Sequence, residues 1–296
     1  MHLVCLGVMR RLLHIWIGGK YGRGKLTAEQ VHMLSDRLNL YRKDFPSVFE
    51  RKPRGVDEVE RWKATEFRTF LLYAGPVALK HLLPDRLYHH FLVLHVAVRI
   101  LASPSSYQTG NEYAKKRLVY FVEDVGELYG TTQVIYNVHS LIYLAGDCLR
   151  HGPFDSFSAF PFESHLGKLK QMLRTTNSPL SQINRRVSEQ RHVSSTIGER
   201  PVDHSVRPGM CYILRNGTIA RVNDVRAACV HVSVFANTTD FFVNPLKSSS
   251  LGIFRVDSNG DEKIMSLDIC IRDRQCIVLP YKSRYVMFPL LHCTSI

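Results

Sequence analysis

Acidic residues are in short supply: 26 Asp and Glu stand against 39 Lys and Arg in 296 residues, a formal charge of +13 with the fourteen histidines neutral. That deficit favours a polyanionic partner, most simply nucleic acid, because Lys and Arg that neutralise phosphates release condensed counterions. The plainer reading is a basic soluble protein without such a partner. No window reaches the roughly 18 apolar residues of a membrane span. The apolar opening is interrupted by Arg10 and Arg11, so its positive charge follows the apolar stretch, where a signal peptide has it first. A soluble protein with no membrane partner is expected. Cysteines lie at 5, 148, 211, 229, 270, 276 and 293, an odd and dispersed set without the framework of small secreted domains. A reducing, intracellular compartment follows as the simpler reading. Neither His89, His90 and His95 nor Cys148 and His151 reproduce paired zinc-ligand spacing. There is no internal repeat and no long low-complexity tract.

What is present divides the chain by pattern. Residues 1–195 carry apolar positions at three- and four-residue spacing, which predicts helices. Leu3, Leu6, Met9, Leu12 and Leu13 predict a first helix ended by Gly18 and Gly19. Thr27 and Gln30 form a capping-box pattern opening a second, which Pro46 should stop. A helix from near Glu58 should break or kink at Gly75 and Pro76. Further helices are expected at 85–102, 112–128, 133–149, 162–175 and 179–193. A polar linker at 196–208 leads to a β-rich module at 209–296. There Asn216-Gly217 lies between alternating apolar runs, the pattern of a tight hairpin. Runs at 230–235, 251–256, 276–279 and 285–288 continue as strands, and Asp257 to Gly260 supplies another turn. The fold class expected is α+β, a mainly helical part followed by a small antiparallel β-barrel or sandwich.

Four segments carry a family resemblance. They are the opening Met1-His2-Leu-Val-Cys-Leu-Gly-Val-Met-Arg-Arg-Leu-Leu13, then Arg61-Trp-Lys-Ala-Thr-Glu-Phe-Arg-Thr-Phe-Leu-Leu-Tyr-Ala-Gly-Pro76, Gly152-Pro-Phe-Asp-Ser-Phe-Ser-Ala-Phe160, and Phe160-Pro-Phe-Glu163-Ser-His-Leu-Gly-Lys-Leu-Lys-Gln-Met-Leu-Arg174. Together they resemble a CACTA/EnSpm-type transposase over residues 1–195, with a weaker resemblance of the remainder to the C-terminal module of animal members. The resemblance implies part of a ribonuclease-H-like core, in which three acids hold Mg²⁺ or Mn²⁺ and two ions drive an in-line displacement on DNA. It makes Glu163 the third acid and a metal ligand. It makes Met1-His2 the tail of an Asp-x-Met-His motif, with His2 adjacent to a second acid that would precede Met1. The chain is therefore expected to be the C-terminal part of a transposase and not a competent enzyme by itself. The plain reading of Glu163 is a first-turn carboxylate complementing the helix dipole.

From 164 to 200, seven Lys or Arg face two acids. A solvated helix face is the plain reading of such a run; beside Glu163, phosphate contact is the stronger one. Lys168, Lys170, Arg174, Arg185 and Arg186 are the candidates for DNA contact, with Lys63 and Arg68 from the basic and aromatic stretch around Trp62. Trp62, Phe67, Phe70 and Leu71 read more simply as core. Asp147 and Asp155 lie near Glu163 in sequence but not at motif positions, and Asp155 suits a turn or cap. Arg215, Arg221 and Arg226 mark the β module as an accessory. The function expected is that of a transposase-derived, nuclear DNA-binding protein, with homo-oligomerisation open. The alternatives are a host-retained, non-catalytic chromatin- or nucleic-acid-binding protein, or a relic without function.

Overall fold

A computed structural model describes residues 2–18, 24–175, 177–196, 206–214, 216–226, 229–257, 261–266 and 274–291, without the side chains of 160, 161, 163, 164 and 190–196. The chain forms two compact units, Met1–Phe157 with Val206–Ile296, and Ser158–Ser205.

Regular structure described in the first 196 residues is helical. A π-helical turn over Leu3–Met9 runs into α1 (Arg10–Gly18), and α2 (Ala28–Tyr41) begins at the predicted capping box. There Thr27 Oγ1 accepts the Gln30 N–H at 3.2 Å and Gln30 Oε1 accepts the Thr27 N–H at 2.9 Å, an arrangement that stabilises a helix start by about 1 kcal/mol. Helices α3 (Ala64–Thr69), α4 (Gly75–Ala78), α5 (Asp85–Ala102) and α6 (Asn111–Tyr129) follow. The helix expected at 133–149 is instead broken into α7 (Tyr136–His139), a 3₁₀ turn over Ser140–Tyr143 and α8 (Leu144–His151). Ile135, a β-branched residue, caps α7 in extended backbone with ψ 170°, so no continuous helix can pass it.

The break expected at Pro76 takes a particular form. Phe70–Ala74 between α3 and α4 is a π-helical turn, with the Gly75 N–H on the Phe70 carbonyl. Pro76 has no N–H, so the carbonyls one α- or π-turn before it, Leu72 and Leu71, lose their helical donor. Both are taken from α5: His95 Nδ1 lies 2.8 Å from Leu71 O, and Arg99 Nη1 donates to Leu72 O at 3.0 Å. The Pro76 carbonyl in turn accepts the Tyr88 hydroxyl at 2.7 Å. One proline thus accounts for a buried histidine and a buried arginine on the facing helix.

The C-terminal part is one antiparallel sheet of β1 (Cys211–Ile213), β2 (Ile219–Arg226), β3 (Cys229–Val234), β4 (Ala236–Asp240), β5 (Phe254–Asp257), β6 (Glu262–Ser266), β7 (Gln275–Tyr281) and β8 (Arg284–Pro289). Their order is β4-β5-β8-β7-β1-β2-β3-β6, a single sheet where two layers of a sandwich were one of the expectations. The Asn216-Gly217 turn joins β1 to β2, with Gly217 at φ 77° and Asn216 Oδ1 accepting the Thr218 N–H at 3.0 Å. Alternation decides the faces. Ile277, Leu279, Val286 and Phe288 join the hydrophobic core of the helices, while Cys276, Val278 and Met287 pack on the opposite face with Cys211, Ile219 and Val256. Each fully buried aliphatic or aromatic side chain stabilises this joint core by about 1.5–3 kcal/mol.

Arg99 fastens the two layers, since its second guanidinium nitrogen, Nη2, donates to the Pro289 carbonyl at 2.7 Å. Tyr73 accepts the Leu291 N–H at 3.1 Å, and the Tyr113 hydroxyl donates to Pro245 O at 2.7 Å. The turn expected at 257–260 lies mostly outside the described residues, as does much of the expected linker. No helix among the described residues is long and apolar enough to cross a membrane.

Candidate nucleic-acid interface

The unit Ser158–Ser205 is a helical hairpin of α9 (Phe160–Gln171) and α10 (Pro179–Thr196). Pro161 and Pro179 sit in the first helical turns, where a missing N–H is harmless and the fixed φ assists the start. Gln182 fastens the bend. Its Oε1 accepts the Arg174 N–H at 2.9 Å, and its Nε2 donates to the carbonyl and hydroxyl of Thr175 at 3.1 and 3.0 Å. Leu169, Leu173, Ile183 and Val187 are half-buried, whereas Phe162, Leu166 and Leu180 remain exposed.

The hairpin carries five of the seven predicted DNA-binding residues. Lys168, Lys170, Arg174 and Arg185 are exposed and Arg186 is half-buried. Helical period divides the two lysines, which are two positions apart and leave α9 on different sides, while Arg174 lies beyond the helix end at Gln171. On α10, Glu189 draws in both neighbours, Arg185 at 3.1 Å and Arg186 at 3.5 Å. Among the described residues Lys168, Lys170 and Arg174 have no acidic partner, so their charge is open to a ligand. Glu163 lies in the first turn of α9, and its carboxylate is outside the described side chains.

The remaining sequence-selected residues belong to the larger unit. His2 is half-buried at the N-cap of the Leu3–Met9 turn. Lys63 is exposed at the start of α3, where its N–H is held by Glu66 Oε2 at 2.8 Å. Trp62 is core, packed against Phe67 and Phe70 with its indole N–H on Gly55 O. Glu66 is buried and satisfied by Arg54 at 2.7 Å.

Arg68 is already engaged. Its guanidinium pairs with Asp155, and its side chain is 12 % exposed. Burial works against the Arg68 charge, but Asp155 holds its pKa above the ordinary value; burial pushes the neighbouring Cys5 thiol up to about 12. The pair joins α3 and the loop after α8 beside the Leu3–Met9 turn, so Arg68 has a structural role here. Asp155, read from sequence as a turn residue, is its counter-ion. Asp147 is instead paired with Arg150 at 3.7 Å on the outside of α8. Arg226 faces Asp224 at 3.1 Å, Arg221 stacks over Phe235 and Tyr285, and Arg215 is outside the described residues.

Among the described residues no three His, Cys, Asp or Glu side chains are placed to share a metal ion. Residues 204–290, which span the whole sheet, match a domain of unknown function, DUF8592. No curated protein and no solved structure matches the chain.

Proposed function

We propose that the chain is a transposase-derived DNA-binding protein that grips the phosphate backbone with the hairpin of α9 and α10. The observation that carries this reading is the exposed positive charge of Lys168, Lys170 and Arg174, for which no acid is recorded among the described residues. Each such contact releases counterions from the duplex and fixes position without reading bases. The resemblance to CACTA/EnSpm-type transposases supports DNA as the polyanion. In this reading the helical part descends from a ribonuclease-H-like core and the protein works in the nucleus.

Binding and cleavage are separable by one substitution. Purified protein titrated into labelled duplex DNA should bind with an affinity that Glu163→Ala does not weaken, because a carboxylate repels phosphate. Mg²⁺- or Mn²⁺-dependent cleavage that Glu163→Ala abolishes would instead favour a working nuclease. Absence of salt-sensitive binding by the unaltered protein would refute the proposal.

A further inference from the structure

A second group of cations lies in the larger unit, along the seam between helices and sheet. Lys80 and His81 follow α4, and Tyr281 and Lys282 stand at the β7–β8 turn. Lys80 Nζ donates to Phe241 O at 2.6 Å, with the Phe241 ring centroid 4.0 Å away and that of Tyr281 5.7 Å away. The rings of His81 and Tyr281 stack at 6.4 Å and 23°. Arg37 of α2 braces the loop by donating to Ala78 O at 2.7 Å and Lys80 O at 3.0 Å. Arg255 of β5 spends its Nε on Thr239 Oγ1 at 3.1 Å. Burial, then Arg255 and Lys282, lower the Lys80 pKa to about 8, and Asp85 is the acid that acts on His81 against the surrounding cations.

Backbone conformation marks the same place, which holds two of the four non-glycine residues with positive φ among the described residues, the others being Ser178 and Asn237. His81 has φ 62° and Lys282 φ 53°, a region in which most L-residues cost roughly 1 kcal/mol or more. Lys282 is the first of two residues in a tight hairpin turn between the paired Tyr281 and Arg284, a position that Gly or Asn fills at least cost. A stability-optimised chain would carry neither His nor Lys at these two positions. Such strain concentrates at ligand sites.

We propose that Arg37, Lys80, His81, Arg255 and Lys282, around the Tyr281 ring, form a binding site for a phosphate group. An ammonium offers three donors, of which Lys80 uses one on Phe241, and a guanidinium offers five, of which Arg255 uses one on Thr239. The cations come from four chain segments, so more than one element of the fold can contribute donors to one oxyanion. The source of the phosphate is free phosphate or the terminal phosphate of a nucleic-acid strand. None of these residues belongs to the α9–α10 hairpin, so the site stands whether or not the hairpin binds DNA.

The test is calorimetric titration of the full chain with inorganic phosphate against chloride at matched ionic strength. Saturable one-to-one binding is expected, weakened at least about tenfold by Lys282→Asn or Arg255→Gln, since each removes a charge-assisted contact. Lys263→Ser, on β6 at the far edge of the sheet, should leave it unchanged. Lys282→Asn suits the left-handed turn and should raise the melting temperature while weakening phosphate, a combination that misfolding cannot produce. Preference for a 5′-phosphorylated oligonucleotide over its 5′-hydroxyl form, lost in Lys282→Asn, would assign the site to a strand end. Equal binding of the two oligonucleotides, with saturable phosphate binding retained, would assign it to free phosphate. No saturable binding of phosphate, or binding indifferent to both seam variants, would overturn the proposal.

Discussion

Arg99 donates to the carbonyl of Pro289 across 190 positions of sequence, at 2.7 Å and with 1 % of its surface exposed. Tyr73 and Phe288 stack on its guanidinium, with ring centroids 5.5 and 5.8 Å away. No carboxylate partner for it is recorded among the described residues, and burial pulls its pKa down to about 10. Its two terminal nitrogens serve carbonyls that the helix at Pro76 and the end of β8 leave open. The contact therefore belongs to both layers, and losing it should loosen both.

Arg99→Met keeps the stem but orphans the Leu72 and Pro289 carbonyls, and should cost about 2–4 kcal/mol at one to two kcal/mol per buried unsatisfied group. Urea denaturation followed by circular dichroism measures the loss. Hydrogen exchange should show β8 and α5 losing protection together. A variant that unfolds as late as the parent would mean the clamp contributes nothing.

His90 and His95 make the fold acid-sensitive. Burial lowers the His90 pKa to about 4 and the His95 pKa to about 3; His90 also faces Phe121 O, Asp124, His89 and Arg86, and His95 faces Arg99 and Leu71 O. Both rings are neutral in the fold, whereas the unfolded chain binds protons near pH 6.5. Their contribution is fully present above pH 6.5 and is lost as pH falls toward 4 and 3. Each should remove roughly 2–3 kcal/mol between pH 7 and 4.5. The stability of His90→Gln should fall less steeply over that interval, and an unchanged slope would contradict the assignment.

Lys80 provides a proton-linked readout of the seam. Burial, Arg255 and Lys282 hold its pKa at about 8, so at pH 8 about half of the molecules carry the charge. A bound phosphate raises that pKa, so binding at pH 8 should take up about half a proton, seen as an enthalpy that varies with the ionisation heat of the buffer. Binding should weaken as pH rises past 8. Buffer-independent heats would separate Lys80 from the ligand.

Local signals were the legible ones. The Thr27 and Gln30 capping box, the helix at Asp85–Ala102 and the Asn216-Gly217 hairpin each depend on neighbours in sequence, and each is found. Strands β4 and β6 were not foreseen, because both lie at sheet edges and the polar Ala-Asn-Thr-Thr-Asp of β4 has no buried face to alternate. The shared core was equally hidden, since nothing in 276–288 says which helices will cover Ile277 and Phe288. Arg68 read as basic surface because its partner, Asp155, is 87 positions away. The seam residues gave no motif. Their one local signal is Lys282 and Ser283 where a two-residue hairpin would favour Asn and Gly.

The most direct test of the DNA-binding account is the salt dependence of duplex affinity for the parent chain and for Lys168→Ser/Lys170→Ser/Arg174→Ser. The account predicts that log K falls linearly with log salt for the parent. The triple variant should bind more weakly and show a slope smaller by about three, near one for each phosphate contact removed. Equal slopes for the two proteins would place the DNA contacts elsewhere and contradict the assignment of the hairpin.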